Sequence, residues 1–290
     1  MNNLHMRTNT PIQPTRLNGL LRLFCVVAMA SVLSACSTLV APPKVALVSA
    51  GAAQAAWAQV LKTQVLKTYV TAQGDVDFQA LALAPNELQT YVRFVADTSL
   101  DTFADGPQRL AHMINSYNAL SMYNVLQSGI PQTHAGLNKV KFFALRKYEI
   151  GGRLLSLYGY ENDIIRPYTR ARRDPRVHFA LNCSARSCPV LPRTPFMAET
   201  LERELERETI SFFARPENYR VDDATQTVWL SELLNFYPED FVPDAAPSLV
   251  AYAARYAALP PGKTPPPSSY VMRFVPYDWT IANAQKPGSP

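Results

Sequence analysis

The sequence predicts an α+β domain, with helices packed on a small, mainly antiparallel sheet. Three observations carry that prediction. Apolar residues recur at helical spacing in several separate segments. Turn residues join short β-rich runs into two hairpins. The two kinds of segment do not alternate in the rhythm of a βαβ fold. The 290 residues fit one large domain. A hydrophobic fraction of 48% excludes wholesale disorder. No repeat of about 20–50 residues marks a solenoid or propeller.

The first segment reads as an address. Residues 1–22 hold Arg7, Arg16 and Arg22 and no acidic residue, and an apolar run from Leu23 to Leu33 follows. That run is too short to span a bilayer, which takes about 20 residues, but it suits a secretory signal. It ends Leu33-Ser34-Ala35-Cys36, which resembles the bacterial lipobox. The resemblance implies a signal peptide over 1–35, acylation (palmitate) on Cys36, and a membrane anchor through that lipid. Ser37 in place of an aspartate fits sorting to the outer membrane, facing the periplasm. Removing 1–35 takes away three arginines, leaving 25 basic and 23 acidic side chains, a net charge of +2. So mild a charge predicts no nucleic-acid partner.

Residues 36–51, with Ala41-Pro42-Pro43, form the lipidated N-terminus and a tether. The single domain is expected over 52–283, with 284–290 a tail. Helices are predicted over 52–70, 85–97 and 107–127. In the last, Leu110, Met113, Ile114, Tyr117, Leu120 and Val125 make one stripe. Asn115 and Asn118 lie three apart on its flank and need partners, either loop backbone or a ligand, because an unpaired buried amide costs about 1–3 kcal/mol. His112, opposite the stripe, and His134, in a loop, read as solvated. Gly151-Gly152 turns a hairpin between Tyr148 and Leu155. A short helix over 160–168 carries Glu161. Val177–Cys183 is nearly all apolar and reads as a central strand. A helix over 195–214, a hairpin over 218–230, a helix around Leu249–Tyr256, a proline-rich loop over 260–269 and a last strand over 270–275 complete the chain.

Reactive side chains concentrate between His178 and Cys188, where His178, Asn182, Cys183, Ser184, Ser187 and Cys188 fall within eleven positions. In an oxidising compartment Cys183 and Cys188 are a candidate disulfide. A cysteine nucleophile with His178 as base, oriented by Glu161, is the catalytic alternative. In a regular strand, however, His178 and Cys183 face opposite sides. A metal site of His178, Cys183 and Cys188 lacks the ligand number and spacing of structural zinc. No metal and no cofactor is therefore expected, and no GxGxxG, P-loop, GxSxG or HExxH occurs.

Arg109–Leu120 (RLAHMINSYNAL), Leu155–Ile165 (LSLYGYENDII), Asp174–Leu191 (DPRVHFALNCSARSCPVL) and Leu230–Phe241 (LSELLNFYPEDF), with Tyr69–Phe78 and Tyr277-Asp278-Trp279 at the ends, together resemble the family catalogued as domain of unknown function 547 over residues 65–282. The resembling positions include Asn115, Tyr117, Asn118, Glu161, His178, Cys183, Cys188 and Pro189. The chain departs from the family at His112-Met113, where an aromatic pair is usual, and at Asn162, where a histidine often follows the glutamate. The resemblance implies no established activity. The order helix, hairpin, His-bearing segment is similar to the papain and transglutaminase-like arrangement, but the corresponding helix here carries Asn115 and Asn118 and no cysteine. The expectation is therefore a lipid-anchored envelope module that binds an envelope polymer or protein near Asn115, Asn118, Glu161 and His178. A hydrolase or acyltransferase using His178, Cys183 and Glu161 is the second reading. A thiol-disulfide oxidoreductase is the third, although C-x4-C is not the usual C-x-x-C.

Overall fold

The computed structural model describes residues 37–41, 60–257 and 265–284. Everything described from Leu39 onward is one compact unit. The expected signal, Cys36 and most of the expected tether lie outside the described residues, as do 52–59, 258–264 and the segment from 285 onward.

The fold is built around one helix. After α1 (Phe78–Leu83) and α2 (Asn86–Asp97), α3 spans Pro107–Gln127, with Pro107 at its first position, where a missing N–H costs nothing. At 1.5 Å per residue α3 is about 31 Å long. Every residue from Leu110 to Val125 is buried. A helix enclosed on all sides has no solvent face, which corrects the reading of a one-sided stripe.

The strands form two small sheets. β1 (Thr38–Val40), β2 (Arg146–Ile150) and β3 (Arg153–Ser156) form the first. β2 and β3 pair antiparallel, and Ile150 faces Arg153 across the Gly151-Gly152 turn. Both glycines have positive φ, 56° and 75°, as a tight primed hairpin turn requires. A Cβ on Gly151 would lie 3.0 Å from the Thr98 carbonyl.

β4 (Tyr219–Asp222), β5 (Thr227–Ser231) and β6 (Val271–Val275) form the second sheet. β4–β5 is the expected hairpin, but β6 runs parallel to β5. The β-structure is thus two sheets rather than one, and the second is mixed, because the chain returns to β6 through helices instead of a turn. The α+β class stands.

The helices of the second half fall close to their expected places. A π-helical turn (Tyr160–Ile165) leads into α4 (Arg166–Arg170). α5 covers Leu201–Phe213, starting later than predicted. Residues before it form a turn held by Glu204, which accepts the Met197 N–H (3.0 Å) and the Thr200 hydroxyl (2.8 Å). α6 (Pro238–Phe241) and α7 (Leu249–Tyr256) carry the chain over the second sheet.

The apolar run Val177–Cys183 is not a strand. Pro175–Phe179 is a 3-10 turn, capped by the Asp174 carboxylate, and residues 180–191 are irregular. Buried backbone must still be paired. Here asparagine side chains supply what a strand ladder would. Asn118 donates to the Ala180 carbonyl (3.0 Å) and accepts the Asn182 N–H (2.8 Å). Asn182 donates to the Pro189 carbonyl (2.7 Å) and accepts the Ser184 N–H (2.7 Å). Asn115 brackets Phe196 in the same way, at 2.7 and 2.9 Å.

A C-terminal strap closes the other side of this loop. Ala282 N–H donates to the Ser184 carbonyl (2.8 Å), Arg186 N–H to Thr280 (2.8 Å) and His134 N–H to Trp279 (2.8 Å). The strap after β6 therefore delivers Tyr277 and Trp279 to the loop that carries the cysteines.

Candidate functional site

Loop, core helix and strap enclose a cleft of about 50 Å³. That is room for one or two waters, or for one side chain as small as a cysteine's, and too little for a buried sugar, so a larger ligand engages the rim. Its polar floor comes from four places in the chain: Tyr117 on α3, Glu161 on the π-helical turn, His178 on the 3-10 turn, and the Cys183/Cys188 loop. Phe143, Phe236, Tyr237 and Trp279 surround them and are partly exposed.

The floor groups are committed to partners. Tyr117 OH donates to Glu161 Oε2 at 2.9 Å, and Tyr237 also hydrogen-bonds Glu161. Burial first, then the adjacent Glu161, pushes the phenols of Tyr117, Tyr237 and Tyr277 well above their ordinary value, so they stay protonated donors. The sulfurs of Cys183 and Cys188 lie at disulfide distance, with Cα atoms 6.3 Å apart.

His178 does not pair with Glu161 as expected. Its Nε2–H donates to Asp240 Oδ2 at 2.8 Å, and its ring stacks on Tyr237 (centroids 4.7 Å apart, planes 16° apart). Asp240 also accepts Arg166 Nε (2.7 Å) and Arg170 Nε (2.8 Å). Burial raises the Asp240 pKa, but hydrogen bonds from His178, Arg166 and Arg170 outweigh it and hold the carboxyl well below the usual range. Asn162 accepts Arg166 Nη1 at 2.6 Å and so helps aim that guanidinium.

The structure thus joins Glu161, His178, Cys183 and Cys188 in one cleft and leaves Asn115 and Asn118 outside its lining. Both amides are occupied by loop backbone on both of their faces. Among the described residues, neither sulfur is hydrogen-bonded to His178. Sequence reasoning missed Asp240, Tyr237, Phe143, Phe236 and Tyr277 as lining or orienting groups. The run Leu230–Phe241 carried a signal, an acidic residue two after Pro238, but its partner lies 62 residues away in sequence.

His112 and His134 are not on the surface; both are buried. His112 stacks on Phe103 at 4.0 Å, and its Nε2 has no hydrogen-bond partner among the described residues. Burial lowers its pKa to about 3. His134 Nε2 contacts the Cys183 carbonyl at 2.9 Å and therefore carries the proton. Burial lowers its pKa to about 4, against the smaller opposing effect of that carbonyl.

Residues 102–213 match the family described as a protein of unknown function, DUF547. No curated protein and no solved structure matches the chain. The DUF547 match carries α3, the hairpin, Glu161, His178 and both cysteines. Tyr237, Asp240, Tyr277 and Trp279 lie beyond it, and five of the twelve residues lining the cleft come from sequence outside the DUF547 segment. No helix among the described residues is long and apolar enough to cross a membrane.

Proposed function

We propose that the chain is a lipid-anchored protein of the bacterial cell envelope, on the outer membrane and facing the periplasm, whose aromatic-rimmed cleft binds an envelope polymer or protein. One observation carries the binding half of this reading. The groups that could do chemistry are engaged with each other, His178 Nε2 with Asp240, Glu161 with tyrosines and Cys183 with Cys188. The aromatic rings around them keep exposed faces. Partly exposed aromatic side chains over a small polar floor supply contact area and orientation.

The test is co-sedimentation of the full chain with a detergent-extracted envelope fraction that retains sacculi and the proteins bound to them. The wild-type protein should pellet, and Trp279→Ala should bind about tenfold or more weakly, as loss of a central aromatic anchor does. Equal pelleting of both would overturn the reading. For the anchor, Cys36→Ala should leave the protein unprocessed or release it from membranes. Unchanged membrane fractionation in that variant would remove the lipid from the proposal.

A second reading, a cysteine/histidine-dependent hydrolase or acyltransferase, is favoured by the His178–Asp240 bond, because a catalytic base is commonly oriented by a carboxylate. It requires Cys183 or Cys188 as a free thiol. The cysteines here follow the histidine in a loop and do not stand on the core helix, unlike the papain-like order.

A further inference from the structure

The two sulfurs of the pair are not equivalent. Cys188 Sγ accepts the Cys183 backbone N–H at 3.0 Å and the Tyr277 hydroxyl at 3.1 Å. Cys183 Sγ has only a long contact, 3.7 Å, to the same hydroxyl. Donors aimed at one sulfur stabilise a thiolate on that sulfur, because hydrogen bonds to a charged acceptor are the stronger kind. They are also held in advance. Asn118 and Asn182 fix the loop backbone around Cys183, and the strap that carries Tyr277 is bonded to Ser184 and Arg186. No reorganisation is needed when charge appears there.

We propose that Cys183 and Cys188 form a thiol–disulfide exchange centre, with Cys183 Sγ the atom attacked and Cys188 the leaving thiolate, held by the Tyr277 hydroxyl and the Cys183 amide. The partner class is a dithiol. One of its sulfurs, as thiolate, attacks Cys183 Sγ. The bond between the two cysteine sulfurs breaks, and its electron pair remains on Cys188 Sγ. The partner's second thiol loses its proton to water and attacks the partner sulfur of the mixed disulfide, expelling Cys183 as a thiolate that takes up a proton. Two electrons pass to the pair, and the dithiol leaves as a disulfide. Both sulfurs line the cleft, so a partner sulfur arrives through the aromatic rim. A bridge closing so short a loop contributes less stability than one closing a long loop.

The experiment exposes the folded full chain to excess glutathione, traps free thiols by rapid alkylation and maps the peptide. Glutathione should be found on Cys183 and the alkyl group on Cys188. Tyr277→Phe, which keeps the ring, should slow native-state reduction by dithiothreitol by about tenfold or more, the size expected for losing a hydrogen bond to a developing charge. Glutathione on Cys188 would overturn the assignment. So would a pair that is reduced only after unfolding. Because mapping is done on the wild-type chain, misfolding of the variant would leave the first result decisive.

Discussion

Asp240 receives donors from His178, Arg166 and Arg170, and its side chain is only 6% exposed. Removing its charge leaves two guanidinium groups and an imidazole without their shared acceptor. Asp240→Asn is therefore expected to destabilise the protein by about 3 kcal/mol, the usual scale for breaking a buried ion pair. Urea unfolding measures it, and a change below about 1 kcal/mol would contradict the network. The residue types in this site were legible from sequence, and the pairing was not. Glu161 and His178 were visible as reactive groups close in number. That His178 turns to Asp240 depends on a short helix 62 residues downstream, and the Tyr117 hydroxyl that binds Glu161 comes from α3, 44 residues before it. Spacing along a chain carries no information about such contacts.

At the scale of elements, the loop 180–191 shows where local reading stops. Its apolar run has the composition of a central strand, and burial was correctly expected. The ladder is missing because Asn118 and Asn182 satisfy the backbone instead. The sequence showed that Asn115 and Asn118 needed partners, and loop backbone was one of the two alternatives. Asn118→Asp tests this clamp sharply. The aspartate keeps the shape and can still accept the Asn182 N–H, but it faces the Ala180 carbonyl with no donor. It should cost about 2 kcal/mol, nearly as much as Asn118→Ala. An aspartate variant as stable as wild type would show that the donor half of the clamp contributes nothing. Helix α3, the Gly151-Gly152 hairpin and the β4–β5 hairpin were legible, because their signals are local. The parallel partner β6 was not, because its register is set through helices far from it in sequence.

For the whole molecule, burial of two neutral histidines links stability to pH. His112 has its pKa lowered to about 3 and His134 to about 4, from an ordinary value near 6.5. The unfolded chain thus binds more protons than the folded one between about pH 6.5 and 4. Stability should be fully present above about pH 7, fall as pH drops through that window, and keep falling towards pH 3. The Asp240 carboxyl, held low when folded, adds a loss only below about pH 4. His112→Phe removes the unpaired buried nitrogen and one of the two protonation sites. It should raise stability by about 1 kcal/mol at neutral pH and flatten the acid limb. Thermal melts from pH 7 to 4 that show the same slope in both proteins would contradict this linkage.

The same scale sets the limits of the DUF547 segment. Residues 102–213 contain the core helix but lack β4 to β6, α6, α7 and the strap that bonds to Val76, Ser184 and Arg186. Expressed alone, that segment should show no cooperative urea transition by circular dichroism, whereas the full chain should. A cooperative transition in the isolated segment would place the fold's stability within the matched residues.

The reactive groups of the cleft are engaged with each other, and on that engagement rests the proposal that the site binds before it does chemistry. Its most direct test is differential alkylation of the full chain purified from an oxidising compartment and denatured without reductant, followed by mass mapping of the peptide with Cys183 and Cys188. A bridged, unalkylated pair is expected. Both cysteines alkylated would contradict it, and would leave a free thiol in the cleft that holds His178.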